Sequence, residues 1–90
     1  MAKDQRISPT NFKLLIVTPD EPIFEDTATR LIAPGIIQDI AILPDHTPLY
    51  SELQKGDLEI TLENKQVKTI PIDGGILRAK NNQVTVITGF

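Results

Sequence analysis

Apolar and polar positions alternate with a period of two along most of this chain, most cleanly where Leu58, Ile60 and Leu62 are interleaved with Glu59, Thr61 and Glu63. In a pleated strand this register sends the apolar side chains to one face and the charged ones to the other, so the segment reads as a strand half-buried against a core. The same reasoning predicts strands at Phe12–Thr18, Ile23–Asp26, Thr29–Ala33, Asp39–Leu43, Val67–Ile72, Ile76–Lys80 and Gln83–Thr88. No stretch of about ten residues carries a clean helical period.

Between these runs lie Pro19-Asp20-Glu21-Pro22, Pro34-Gly35, Pro44-Asp45, Lys55-Gly56-Asp57, Asn64-Lys65, Asp73-Gly74-Gly75 and Asn81-Asn82. Proline fixes φ, while glycine and asparagine accept the positive φ that tight turns demand, so each of these groups is expected to break a strand. Asn64-Lys65 and Asn81-Asn82 each place two residues between strand-like runs, which predicts tight hairpins with antiparallel neighbours. Alternation slips in Val67–Ile72, where Pro71 cannot donate to a ladder, so that strand is expected at an edge or in a bulge. Short, closely spaced strands of this kind predict an all-β, antiparallel β-sandwich or small barrel. At 90 residues the chain supports one core, placed at residues 12–90, and the polar residues 1–11, which include Pro9, are expected to form a flexible tail.

Composition narrows the partners. The net charge is −3 and the nine basic residues are scattered singly, whereas phosphate backbones and anionic lipid surfaces are held by clustered Lys and Arg. With no cysteine there is no disulfide framework, thiolate nucleophile or Cys-based zinc site. The polar segment Ile7-Ser-Pro-Thr-Asn11 stands where a signal peptide needs its apolar stretch, and no apolar run approaches the roughly 20 residues of a membrane span, so the chain reads as cytosolic.

The kits for catalysis are missing. Gly74-Gly75 lacks the lysine and the following helix pattern of a phosphate-binding loop, and reads as a turn. Neither Ser8 nor Ser51 lies in a Gly-x-Ser-x-Gly elbow. His46, the one histidine, cannot form a multi-histidine metal site alone. It could act as a base beside Asp45 or Asp39, hydrogen-bond locally, or contact a partner. Asp20, Glu21, Glu25 and Asp26 form an acidic group about a turn, and their spacing does not match a calcium loop, which leaves a solvated loop as the reading. No cofactor is called for. Ile36, Ile37, Ile40, Ile42, Leu43, Leu49 and Tyr50 supply more apolar surface than one strand face needs, and Ile36-Ile37 directly after Pro34-Gly35 would expose apolar side chains at a loop, as at an interface.

An ordered series of segments carries a family resemblance. Phe12-Lys-Leu-Leu-Ile-Val-Thr-Pro-Asp20, Phe24-Glu-Asp-Thr-Ala-Thr-Arg-Leu-Ile-Ala-Pro-Gly35, Ile42-Leu-Pro-Asp-His-Thr-Pro-Leu49, Gln54-Lys55-Gly56, Asp73-Gly-Gly-Ile-Leu77 and Asn82-Gln-Val-Thr-Val86 follow one another in register. Together they resemble the amino-terminal domain of the epsilon subunit of F-type ATP synthases. The resemblance implies a β-sandwich of about ten strands, normally followed by a regulatory helical hairpin. It also implies a non-catalytic rotor component of the central stalk, bound to the gamma subunit and the c-ring on the cytoplasmic side of the membrane, coupling proton transport to ATP synthesis. Partner contacts would fall to His46, Thr47 and Leu49 toward gamma, and to Asp39 with Ile36, Ile37 and Gln38 toward the c-ring.

Two departures bear on that expectation. The family's Gly-x-x-Gly-Glu-x-Gly loop reads here Gly35-Ile-Ile-Gln-Asp39-Ile-Ala41, so Gln38 and Ala41 replace glycines and would be strained if the loop needs positive φ there. The sequence ends at Phe90, where members continue into the hairpin, so this chain is not expected to perform the hairpin's inhibitory role. A rival reading is a free-standing sandwich that binds a small molecule or nucleotide.

Overall fold

A computed structural model describes residues 9–89. Among these described residues there are seven strands: β1 (Phe12–Val17), β2 (Pro22–Ala28), β3 (Arg30–Ala33), β4 (Ile40–Ile42), β5 (Leu49–Thr61), β6 (Val67–Lys80) and β7 (Gln83–Thr88). The described residues contain no helix, and so none long and apolar enough to cross a membrane. The expectation of a tail over residues 1–11 falls mostly outside the described residues. Its last member, Asn11, is held at both ends, its amide donating to Glu63 and its carbonyl accepting from Asn82.

The strands form one sheet in the order β2-β1-β7-β6-β5-β3-β4. Every neighbouring pair is antiparallel except β1 with β7, which runs parallel with Leu14 beside Val84 and Ile16 beside Val86. Those four side chains are buried, and because the two strands lie at opposite ends of the chain, no hairpin dictates their direction.

The sheet doubles over to make the sandwich. Only Thr29 separates β2, at one edge of the sheet, from β3, near the other, and its N–H and hydroxyl both donate to the Thr61 carbonyl of β5 at 2.8 and 3.2 Å. Across the same seam, the Lys68 ammonium of β6 lies 5.8 Å from the centroid of the Phe24 ring of β2. Between the layers, Phe12, Leu14, Ile16, Leu31, Leu58, Ile60, Leu77 and Val86 are all at most 1% exposed. Each such side chain contributes about 1.5–3 kcal/mol relative to exposure. The alternation at Leu58, Ile60 and Leu62 fills this core from β5 and from the residue just past its end.

Two groups expected to be turns are not turns. Lys55-Gly56-Asp57 and Asp73-Gly74-Gly75 lie inside β5 and β6, facing each other, with Lys55 opposite Asp73 and Gly56 opposite Ile72. They are bends at which both strands change the face they turn to the core. On β5 burial passes from the odd position Leu53 to the even positions Leu58 and Ile60, and on β6 from the even position Ile72 to the odd positions Leu77 and Ala79. A long hairpin can therefore run from one layer of the sandwich into the other, and the strand count is seven rather than about ten. Glycine is required at the bend, since a Cβ on Gly75 would lie 2.3 Å from the Ile87 carbonyl oxygen of β7, and Gly74 has φ of 121°.

The other punctuation behaves as its chemistry predicts. Asn81 and Asn82 have φ of 53° and 61° and form the two-residue turn between β6 and β7. The β5–β6 connection is longer than the expected Asn64-Lys65, spanning residues 62–66 with Lys65 at φ 71°, because Leu62 and Gln66 pair by one backbone hydrogen bond and end the ladder. Pro71 lies where β6 is paired with β5 alone, since β7 reaches only as far as Gly75, so its missing donor falls on an open edge.

Candidate docking surface

The loop between β3 and β4 is stapled at its base and bare at its tip. Pro34 and Gly35 are buried: the Pro34 carbonyl accepts from the Gln54 N–H at 2.8 Å, and the Gly35 carbonyl from Gln54 Nε2 at 3.1 Å. Gly35 also bridges to Leu53, and a Cβ there would meet the Gln38 carbonyl at 2.4 Å, so the tight curl of the loop excludes any larger residue. The side chains of residues 36–39 then project outward. Ile37 is 95% exposed and Ile36 52%, with Gln38 and Asp39 also exposed. The strain expected at Gln38 and Ala41 does not arise, because neither has positive φ, and Asp39 precedes rather than begins β4.

Ile36, Ile37, Gln38, Ile40, Tyr50 and Glu52 line a shallow hollow beside this loop. Tyr50 is 71% exposed and was not singled out among the candidate contacts. The signal was present in the alternation: with Leu53 inward, positions 49 and 51 follow it inward and positions 50 and 52 face out.

His46, Thr47 and Leu49 belong to a different place. They follow the Pro44-Asp45 turn at the far end of β4, about 10 Å from the first loop at the rise of an extended strand. His46 is half-buried in a crevice with Ile42, Ala79, Asn82 and Val84, and its Nδ1–H donates to the Thr47 carbonyl at 2.7 Å, which fixes the ring locally. Neither Asp45 nor Asp39 is hydrogen-bonded to the ring among the described residues. Leu49 is half-buried and packs on the core, opposite Ala79. Thr47 is exposed, as is Leu43 at 53%. The seven candidate contact residues thus form two loops on either end of β4, not one patch.

Asp20, Glu21, Glu25 and Asp26 are exposed, and the turn they flank is closed by Thr18, whose N–H donates to the Glu21 carbonyl at 2.9 Å and whose hydroxyl accepts from the Asp20 and Glu21 N–H groups. Among the described residues no group of three or more His, Asp or Glu side chains is arranged to hold a metal ion.

A β-sandwich that presents an apolar loop tip, with its one histidine hydrogen-bonded locally, defines a small all-β domain with an exposed apolar surface. Its residues 11–89 match the family described as ATP synthase, Delta/Epsilon chain, beta-sandwich domain, and the chain belongs to that family. It is 36% identical over 75 residues to an ATP synthase epsilon chain of Pelotomaculum thermopropionicum, covering 83% of this chain and 55% of the relative. It is 40% identical over 75 residues to that of Carboxydothermus hydrogenoformans, with the same coverage, and 34% identical over 77 residues to that of Chlorobium limicola, covering 86% of this chain and 88% of the relative. The chain spans about half the length of the first two. Among solved structures it is similar to a chain in the Euglena gracilis mitochondrial ATP synthase (OSCP/F1/c-ring, rotational state 1), with a TM-score of 0.85, 19% identity, and coverage of 97% and 56% of the two chains. It is also similar to one in the Tetrahymena thermophila mitochondrial ATP synthase central stalk/c-ring, with a TM-score of 0.70, 19% identity, and coverage of 87% and 63%. These likenesses establish a shared fold.

Proposed function

We propose that this chain is a non-catalytic rotor component of the central stalk of an F-type ATP synthase, docking on the gamma subunit and the c-ring so that proton transport is coupled to ATP synthesis. In this reading it is peripheral to the membrane, on the cytoplasmic side of the inner (plasma) membrane, held there through the complex. The observation that carries the proposal is the loop at residues 35–39, whose base is fixed to β5 while Ile37 stands 95% exposed beside an acidic Asp39. A pre-ordered loop loses little entropy on docking, and an isoleucine in water gains about 1.5–3 kcal/mol when a partner covers it. The second loop, with His46 and Thr47, offers a smaller contact toward gamma, to which half-buried Leu49 contributes mainly by packing behind it.

The test is affinity capture of the tagged 90-residue chain from a gentle detergent extract of its host, with the captured proteins identified by mass. Recovery of gamma and c-ring subunits supports the proposal. Recovery of neither, with the bait folded, overturns it.

A further inference from the structure

Asn82 occupies a position the candidate contacts do not explain. It sits in the β6–β7 turn, yet its side chain reaches across to two other parts of the chain: Oδ1 accepts the Asp45 N–H at 2.8 Å, and Nδ2 donates to the Asn11 carbonyl at 2.6 Å. Its own carbonyl accepts the Lys13 N–H at 3.2 Å. The partners fix the amide's orientation, since a flipped group would set a donor against the Asp45 N–H and an acceptor against the Asn11 carbonyl. One half-buried side chain therefore ties together the β6–β7 turn, the entry to β1 and the Pro44-Asp45 turn.

The tie to Asp45 matters because the loop between β4 and β5 has few other supports. Asp45 holds φ of 62°, in the left-handed region that aspartate tolerates at turns, and the hydrogen bond from its N–H to Asn82 helps to hold it there. His46, next along the chain, shares its crevice with Asn82 itself. We infer that Asn82 is the positioning residue of the His46 loop: its Oδ1 holds the Asp45 amide, and through it orders residues 44–47 for docking before a partner arrives. This rests on the docking role proposed above for that loop. The sequence alone hides it, because asparagine at a tight turn is explained by positive φ, and the side chain's second task depends on contacts 37 and 71 residues away.

Three variants of the 90-residue chain separate the turn from the anchor. Asn82→Gly keeps the turn's φ and removes both side-chain bonds. Asn82→Asp keeps an acceptor for Asp45 but loses the donation to Asn11. Asn81→Gly alters the exposed neighbour, whose side chain makes no hydrogen bond among the described residues. In Asn82→Gly, amide exchange of Asp45, read by NMR, accelerates about three- to tenfold, the worth of one hydrogen bond, while Asn82→Asp and Asn81→Gly stay at the wild-type rate. Affinity for purified gamma subunit falls about three- to tenfold in Asn82→Gly alone, because the loop must then be ordered on binding. Equal Asp45 exchange in Asn82→Gly and wild type, or exchange in Asn82→Asp as fast as in Asn82→Gly, overturns the anchor. Faster exchange with undiminished gamma affinity overturns its role in docking. Failure of the wild-type chain to bind gamma overturns the docking reading itself and leaves the exchange result to decide the anchor.

Discussion

Replacing Gly75 by alanine should destabilise the sandwich more than any other single-methyl addition to the bend. The added Cβ would stand 2.3 Å from the Ile87 carbonyl oxygen and 3.3 Å from both the Ile87 carbonyl carbon and the Thr88 Cα. All three are backbone atoms of β7, which cannot swing aside as a flexible side chain can. Restoring a contact of about 3.3 Å requires the strands to part by about 1 Å. Gly75 faces Thr88 at the last rung of the β6–β7 ladder, and the Thr88 hydroxyl donates to the Gly74 carbonyl at 2.5 Å, so the separation strikes that bond. Overpacking contributes about 1–3 kcal/mol and the weakened hydrogen bond about 0.5–1.5 kcal/mol, giving a loss of about 1.5–4.5 kcal/mol. For a domain of this size that lowers Tm by roughly 6–36 °C. Urea unfolding followed by circular dichroism measures the loss, and amide shifts of Ile87 and Thr88 locate it. A loss below about 1 kcal/mol would refute the inference that β6 and β7 approach this closely at the glycine.

Other expectations follow from the same geometry. Ile36→Asp with Ile37→Asp should leave the unfolding midpoint near wild type, since both side chains already face water, and weaken partner capture by about 2–4 kcal/mol, which pull-down titration measures. Leu77→Ala removes a side chain with no exposure and should cost about 2–5 kcal/mol in urea unfolding. Gln38→Gly, which would restore a glycine common in the family, should fail to stabilise and should cost about 0.4–1 kcal/mol, because Gln38 needs no positive φ here and glycine only enlarges the unfolded ensemble.

The fold class was legible because burial in a sandwich is enforced residue by residue, and Leu58, Ile60, Leu77, Ala79, Val84 and Val86 all obey the period of two that the chain displays. The bends were not legible. Lys55-Gly56-Asp57 and Asp73-Gly74-Gly75 have the composition of turns, and only their mutual pairing across β5 and β6 makes them the crease of a long hairpin. The parallel pairing of β1 with β7 was also hidden, since it joins the two ends of the chain without a local signal. At the candidate surface, exposure of Ile36 and Ile37 followed from two isoleucines after a Pro-Gly corner, and Tyr50 could have been found by extending the alternation of β5 backward from Leu53. The division of the candidates into two loops required knowing that β4 is a three-residue strand standing between them.

The most direct test of the docking account is a binding titration of the purified 90-residue chain against the purified gamma–c-ring assembly, comparing wild type with the Ile36→Asp, Ile37→Asp double variant. Saturable binding by the wild type, weakened about 30-fold or more in a variant whose circular dichroism and unfolding midpoint are unchanged, is the predicted result. Equal binding by the two proteins, or no binding by a folded wild-type chain, would contradict it.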